Sequence, residues 1–261
     1  MFFTVPVPKN EPVNTYSPGS TERDLLQKSL REMYENQIEI PAIIGGKEVY
    51  SNRTDFCICP HEHQHKLARF HKVGEQEILM AIDSAVKARQ DWEETPFYHR
   101  SAIFLKAAEL LSTKYRFLLN AATMLCQSKN AHQAEIDSAC ELIDFWRFNC
   151  YFAQKIYEQQ PLISPKGEWN FSDYRSLEGF VFAITPFNFT AIAGNLPTAP
   201  ALMGNTVVWK PAGTAIYSGY YIMKILREAG LPDGVINFIP GSGAQIGNFV
   251  TDSPHLSGIH F

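Results

Sequence analysis

The last third of the chain alternates four short apolar runs with helical patterns. The apolar runs cover residues 179–184, 206–209, 235–239 and 257–261. Helices are expected between them, from about 191, from about 216 to 229 and from about 244. Apolar strands that alternate with helices predict a parallel, doubly wound α/β sheet. Ligands bind such sheets at the carboxyl ends of the strands, so the residues that follow each strand are the candidates for a site.

Upstream of this unit the pattern divides into two further segments. Residues 1–157 are expected to hold a surface arm over 1–20, a helix from Ser20, a hairpin over 40–50, further strand and turn over 55–73, and helices from 75 to 157. The first helix is expected to carry its apolar residues on one face, namely Leu25, Leu26, Leu30 and Met33. Residues 158–178 are expected to form an antiparallel hairpin around the turn at 165–167.

Composition excludes several classes of protein. The 261 residues are 45% hydrophobic and 19% charged with a formal net charge of -4, which gives no footprint for nucleic acid or an anionic membrane. No apolar run approaches the ~20 residues that a membrane helix needs. The first eight residues lack the features of a secretory signal or transit peptide, so a cytoplasmic protein is expected from the residues alone. The five cysteines, an odd number, favour reduced thiols over a disulfide framework.

Polar residues and glycines follow three of the predicted strands. Asn188 lies in the first turn after a strand, where an ordinary turn asparagine and an amide donor to a developing oxyanion are both consistent with the pattern. Lys210 follows the second strand and is placed to reach a phosphate or a ribose hydroxyl, although most such lysines are solvated. The third strand is followed by three glycines, at 241, 243 and 247, which indicate either a tight turn or a loop that binds phosphate through its backbone. The first turn contains no glycine, so the usual dinucleotide fingerprint is absent.

One further cluster could hold a metal. Cysteines at 57 and 59 and histidines at 61, 63 and 65 stand close together in the sequence. Their spacing matches no common structural zinc pattern, so a strand and turn is favoured and no metal site is predicted. His71 and His99 are interpreted as surface or packed histidines rather than catalysts.

Three runs carry a resemblance to a known family. They are Ile-Thr-Pro-Phe-Asn-Phe-Thr at 184–190, Pro-Ala-Leu-Met-Gly-Asn-Thr-Val-Val-Trp-Lys-Pro at 200–211, and Glu-Ala-Gly-Leu-Pro-Asp-Gly-Val at 228–235. This sequence resembles the aldehyde dehydrogenase superfamily from about residue 10 to 261. The phenylalanine at 187 and the runs at 133–137 and 141–149 make it most similar to the Δ1-pyrroline-5-carboxylate (L-glutamate γ-semialdehyde) dehydrogenase branch.

The resemblance implies the fold, cofactor and site of that family. The cofactor would be NAD, with Lys210 on its adenosine ribose, Gly241 and Gly247 lining the adenine pocket, and three residues bordering the nicotinamide side, namely Thr185, Pro186 and Phe187. Asn188 would be the catalytic oxyanion-hole amide. Glu135 and Phe189 would approach the substrate, L-glutamate γ-semialdehyde. The segment 158–178 resembles the family's oligomerisation flap, which implies a homo-oligomer, and the family implies the mitochondrial matrix.

The same resemblance implies that part of the chemistry is missing. In the family the nucleophilic cysteine, the general-base glutamate and the glycine turn after the fourth strand lie beyond the point that matches Phe261. The chain is therefore expected to lack the catalytic domain and to have no dehydrogenase activity. Ala212 and Gly213 replace polar or acidic residues that are frequent in the family, which puts side-chain contacts to the ribose in question. Two alternatives stay open: a non-enzymatic partner of full-length subunits, and an aldehyde dehydrogenase of another specificity.

Overall fold

A six-stranded sheet organises the molecule, whose computed structural model describes residues 4–261. Its strands, in chain order, are β2 (Ala42–Ile44), β3 (Lys47–Val49), β6 (Phe180–Ile184), β7 (Thr206–Lys210), β8 (Ile236–Phe238) and β9 (Leu256–His260). They lie side by side in the order β3-β2-β8-β7-β6-β9. A smaller sheet has the order β1-β5-β4 and is built from β1 (Ile38–Ile40), β4 (Thr54–Cys59) and β5 (Glu62–His71).

Helices cover both faces of the larger sheet. They are α1 (Thr21–Glu35), α2 (Glu75–Glu94), α3 (Phe97–Ser112), α4 (Arg116–Gln127), α5 (Ala131–Ala134), α6 (Glu141–Tyr157), α7 (Thr190–Leu202), α8 (Ile216–Ala229) and α9 (Gly243–Thr251). The helix α1 begins where predicted, and Ser20 caps it because its side chain accepts a hydrogen bond from the backbone N–H of Arg23. Leu26 and Met33 are buried on this helix, whereas Leu25 is 42% exposed, so the prediction for Leu25 is wrong.

The four predicted strands form the parallel part of the sheet. Phe182 of β6 is paired with Val208 of β7 on one side and with Ile259 of β9 on the other, and all three strands run in the same direction. The prediction of a parallel sheet holds for these four strands. It does not extend to the edge, where β2 runs antiparallel to β8 and to β3.

Side chains point alternately to the two faces of the sheet, so the core is divided into two parts. Val181 and Ala183 of β6 face one core, together with buried residues of α3, α4, α6, α7 and α8. Phe180 and Phe182 face the other, together with buried residues of α2 and α9. Because neighbouring strand residues point to opposite faces, a continuous apolar run needs helices on both sides. The doubly wound arrangement follows from this requirement.

The strand order also locates the expected ligand crevice. From β6 the chain moves to β7 and then β8 in one direction, and it returns to the other side of β6 with β9. Ligands of open α/β sheets bind where the strand order reverses, outside the carboxyl ends of the strands. The turn after β6 lies at this switch point.

The last helix of the predicted helical region, 75–157, is interrupted. A π-helix, Glu135–Cys140, separates α5 from α6. Single π-helical turns within α-helices are frequent at functional sites, because the extra residue redirects the side chains of one turn. Glu135 begins this turn, and its side chain points into the protein interior.

Two segments lie outside the sheet. Most described residues of the N-terminal arm are exposed, as expected of a surface arm, and the buried side chains of Val5 and Tyr16 anchor it to the core. Over 158–178 the chain reverses at the predicted turn, where the N–H of Glu168 donates to the carbonyl oxygen of Pro165. The two arms touch between Gln160 and Ser172 but form no strands, so the β-hairpin prediction is wrong in this respect. Isolated two-stranded hairpins are marginal in water, and these arms lack a third strand.

Candidate active site

Lys210 and the glycine turn meet at the carboxyl edge of the sheet. Lys210 ends β7, and a side chain at Gly243 would place its Cβ 3.7 Å from the Lys210 ammonium nitrogen. Among residues 4–261 no acceptor pairs with this ammonium group, although the side chain is half-buried. Burial lowers the pKa of Lys210. An unpaired, partly desolvated cation beside the start of a helix suits a polar or anionic ligand.

The glycines of this turn differ in their surroundings. A Cβ at Gly241 would lie 3.1 Å from Ile246 and 3.2 Å from Val73, so this position is closed by core packing. A Cβ at Gly247 would meet no atom within 4 Å. Gly247 therefore borders open space where a flat ring could lie, whereas Gly241 allows the turn to pack on the core.

The turn after β6 is fixed at its first residue. Thr185 is buried, its hydroxyl oxygen accepts a hydrogen bond from the indole N–H of Trp209 at 3.0 Å, and its own backbone N–H donates to the carbonyl oxygen of Lys210 at 3.2 Å. Pro186 is half-buried, and Phe187 is 66% exposed. These bonds tie the turn to the end of β7, so the structure brings together the residues expected to border the nicotinamide.

Asn188 is exposed at the tip of the same turn. No described residue forms a hydrogen bond with its side chain, so its amide is free to donate. Phe189 follows as the residue before α7, and its ring centre lies 4.3 Å from the Lys129 ammonium nitrogen. A free amide at the switch point of the sheet can stabilise negative charge on a carbonyl oxygen.

A groove of about 670 Å³ lies beside Phe189. The arm, the π-helix and α6 form its walls, with Glu11, Asp137, Cys140, Phe145 and Phe148 among the lining residues. Burial raises the pKa of Glu141 at this groove, and the charges of Asp137 and Asp144 add to the effect. Aromatic rings and carboxylates together suit a small ligand with both apolar and cationic parts.

Glu135 does not reach this groove in the structure. It is fully buried, and its two carboxylate oxygens accept hydrogen bonds from the backbone N–H of Asn14 and from three side chains, those of Tyr16, Arg116 and Asn120. Burial would raise the pKa of Glu135, but the hydrogen bonds led by Arg116 outweigh it and the net pKa is lowered. Direct contact of Glu135 with a substrate stays a prediction, and the observed geometry gives it a structural role.

The five cysteines offer no available thiolate. All are buried, and burial raises the pKa of Cys126 to about 11 and those of Cys140 and Cys150 to about 12. Burial also raises the pKa of Cys57 and of Cys59. A thiol whose pKa is well above neutrality is a poor nucleophile.

The cluster from 57 to 65 forms an ordinary strand pair. Cys57 and Cys59 are buried on β4, and the ring of His65 stacks on Tyr34 at 3.8 Å between centres. Within residues 4–261 no three His, Cys, Asp or Glu side chains are arranged to hold a metal ion.

In the same described part, no helix has the length and apolar character needed to cross a membrane. His71 is buried and hydrogen-bonded to Glu39, as expected of a packed histidine.

Sequence reasoning missed the residues that support the site. Arg116 binds Glu135, and Lys129 contacts both Phe189 and Asp137, across gaps in sequence that carry no local signal. The only available hint for Lys129 is its place just after the end of α4, where a lysine suits the helix dipole.

The sheet, its covering helices and the polar residues at its carboxyl edge are those of a doubly wound α/β unit with a ligand crevice. The profile of the aldehyde dehydrogenase family matches residues 50–261. The chain belongs to the aldehyde dehydrogenase family.

Similar proteins within the family point to one branch. The chain is 49% identical over 260 residues to the probable delta-1-pyrroline-5-carboxylate dehydrogenase of Schizosaccharomyces pombe, covering 99% of this chain and 47% of that protein. It is 48% identical over 252 residues to the mitochondrial enzyme of that name from Homo sapiens, covering 97% and 45%. The NAD-bound crystal structure of the Mycobacterium tuberculosis enzyme matches with a TM-score of 0.98 and 50% identity, covering 100% and 49%. The chain thus spans about half the length of these relatives.

Proposed function

We propose that this chain forms the NAD-binding part of a Δ1-pyrroline-5-carboxylate dehydrogenase. The complete enzyme would oxidise L-glutamate γ-semialdehyde to glutamate in proline catabolism. The observation that carries the proposal is the Lys210 ammonium group, which has no partner among the described residues and lies next to Gly243, on the same sheet edge as the Asn188 turn. The similarity to an NAD-bound structure at 50% identity supports the choice of cofactor.

Each residue at the sheet edge has a distinct part in this function. The Lys210 ammonium would donate hydrogen bonds to the adenosine ribose, and Gly247 leaves room for the adenine. Thr185, Pro186 and Phe187 would border the nicotinamide end at the switch point. The Asn188 amide would donate to the aldehyde oxygen as negative charge develops on it. Phe189 and the adjoining groove would contact the carbon chain of the substrate.

Aldehyde oxidation needs three further contributions. A thiolate must attack the carbonyl carbon, a base must activate water, and a hydride acceptor must take the two electrons. Bound NAD would supply the hydride acceptor. The five cysteines of this chain are buried and do not supply the thiolate. The 261-residue chain by itself is therefore expected to produce no NADH from the semialdehyde, and production above background would contradict this part of the proposal.

Calorimetric titration of the 261-residue chain with NAD tests cofactor binding. We expect binding, and we expect Lys210→Met to weaken it by about tenfold because a charge-assisted hydrogen bond is lost. Lys28→Met is the matched control, since this lysine lies on α1 and its side chain is 67% exposed. No binding by the unsubstituted chain, or equal affinities for the two variants, would overturn the assignment of the site.

The segment 158–178 supports a second candidate function. Four of its large apolar side chains are strongly exposed, with Leu162 at 100%, Ile163 at 85%, Trp169 at 84% and Phe171 at 64%. Contiguous exposed apolar surface favours association. We propose homo-oligomer formation through this segment, or pairing of this chain with full-length subunits without catalysis. Sedimentation should show oligomers that dissociate in a Trp169→Ser, Phe171→Ser variant, and a monomer at all concentrations would exclude self-association.

The mitochondrial matrix is the proposed location. Relatives from Dictyostelium discoideum, Mus musculus and Homo sapiens are named mitochondrial enzymes. Fractionation of cells that express the tagged chain tests this proposal, and recovery of the protein only in the cytosol would contradict it.

A further inference from the structure

The turn that carries Asn188 is held from one side by the end of α4. Thr190, two residues further on, is fully buried at the start of α7. Its hydroxyl oxygen accepts a hydrogen bond from the side-chain amide of Gln127 at 2.8 Å and lies 2.8 Å from the hydroxyl oxygen of Thr123. Buried hydroxyl groups with such partners have one fixed orientation. These hydrogen bonds to α4 restrain the backbone immediately after Asn188.

A second contact reaches the residue between Asn188 and Thr190. The Lys129 ammonium nitrogen lies 4.3 Å from the ring centre of Phe189 and 2.5 Å from a carboxylate oxygen of Asp137. The Lys129 side chain is only 13% exposed. A cation over an aromatic ring is worth more when it is partly desolvated, so this contact restrains the ring.

The course of the chain after α4 makes both contacts available. Ser128 has φ of 54°, the left-handed conformation that ends α4 and turns the chain. Gln127 therefore points to Thr190 from the last turn of the helix, whereas Lys129 approaches Phe189 from beyond the turn. Two different side chains, one neutral and one charged, converge on adjacent residues of the Asn188 turn.

Asn188 itself depends on these neighbours. Among residues 4–261 no side chain forms a hydrogen bond with it, and its amide is exposed at the edge of the sheet. An amide that stabilises an oxyanion must be held in place before the reaction, because reorganisation would cost part of the rate enhancement. Restraint must come from the backbone on either side, through Thr185 before it and through Phe189 and Thr190 after it.

We propose that Gln127 and Lys129 are positioning residues that hold the Asn188 turn in its working conformation. The catalytic role of Asn188 rests on the proposed function, whereas the restraint of the turn does not. The competing interpretation is that both residues only stabilise the fold. That interpretation predicts a lower unfolding midpoint with no local change at Asn188.

Nuclear magnetic resonance of the ligand-free chain labelled with ¹⁵N-asparagine separates the two interpretations, with the Asn188 signal assigned through Asn188→Asp. We expect Lys129→Met and Gln127→Leu each to shift and broaden the Asn188 backbone signal. Lys129→Arg should restore it, since the guanidinium also pairs with Asp137 and stacks on a ring. Lys155→Met is the matched control, because it removes an ion pair with Glu158 and a cation–π contact with Tyr151 on α6.

Hydrogen exchange gives a second measurement of the same turn. The Ala193 amide donates to the carbonyl oxygen of Phe189 at 3.0 Å in the first bond of α7. Its exchange should be roughly three- to tenfold faster in Lys129→Met and Gln127→Leu, and unchanged in Lys155→Met. An Asn188 signal and an Ala193 exchange rate that stay at unsubstituted values in both variants would overturn the proposal. Because no ligand is present, failure of NAD binding leaves this result unaffected.

Discussion

Lys210 and Glu135 are both at least partly buried, but they differ in whether the fold supplies hydrogen-bond partners for their charges. Glu135 is fully buried and accepts hydrogen bonds from four residues, which fasten the N-terminal arm to the helices. Lys210 is half-buried and has no described partner. A buried charge without a partner is unfavourable unless a ligand supplies one. Glu135 therefore has all its hydrogen-bond partners within the fold, whereas the proposed ligand would supply the partner that Lys210 lacks among residues 4–261.

Removal of Glu135 should have the largest effect on stability. Glu135→Ala leaves the Arg116 guanidinium, the Tyr16 hydroxyl and the Asn120 amide facing a cavity. We expect the free energy of unfolding to fall by about 3–5 kcal/mol, measured by urea denaturation. Glu32→Ala, which breaks an exposed ion pair with Lys28, is the control and should change little. Equal effects of the two variants would show that the hydrogen bonds to Glu135 do not stabilise the fold.

Loss of a single donor to Glu135 should have a smaller effect. Tyr16→Phe removes a hydrogen bond of 2.6 Å to the carboxylate and retains the ring. We expect a decrease of about 1–2 kcal/mol in the free energy of unfolding by the same measurement. Tyr50→Phe removes a hydrogen bond to Glu48 at an exposed site and serves as the control. A larger loss for Tyr50→Phe than for Tyr16→Phe would contradict the comparison.

Low pH should reduce the stability that the hydrogen bonds to the Glu135 carboxylate contribute. The folded-state pKa of Glu135 lies below its ordinary value of 4.5, so its contribution is present above that pH and is lost as the pH falls below it. We expect the free energy of unfolding to decrease below about pH 4.5 and the decrease to be shallower in Glu135→Gln, which cannot titrate. Identical acid profiles for the two proteins would assign the acid loss to other carboxylates.

Replacement of Lys210 should have the smallest effect on stability. Burial lowers the pKa of Lys210, so folding disfavours its charged form. Lys210→Met keeps the length of the side chain and removes the charge, and the free energy of unfolding should stay equal or rise by up to about 1 kcal/mol. A loss of more than about 2 kcal/mol would mean that Lys210 has a partner in the fold, and the contrast with Glu135 would fail.

The strands and the sheet edge were predictable for a definite reason. Apolar runs at 179–184 and 206–209 are confirmed as β6 and β7, because strands buried on both faces need apolar side chains throughout. Lys210 and Asn188 were located from their positions just after these strands. Their assigned roles in binding and catalysis remain predictions.

The predictions that were wrong or incomplete concern elements whose structure depends on contacts with residues far away in the sequence. The arms of 158–178 have strand-like sequences, yet within residues 4–261 no neighbouring strand completes a sheet with them. Leu25 has the spacing of a buried residue, but the neighbours of α1 cover only the face that holds Leu26 and Met33. Glu135 lies in a run typical of the family, and the donors that surround its carboxylate come from two separate segments, the N-terminal arm and α4.

Hydrophobic periodicity, a local property of the chain, predicted the alternation of strands and helices and therefore the sheet edge at which Lys210 and Asn188 lie. Which charges are paired was visible only in the packed molecule. Arg116 and Tyr16 meet Glu135 across 19 and 119 residues, and Lys129 meets Phe189 from another helix end. Such contacts depend on packing between elements, which no local pattern in the sequence specifies.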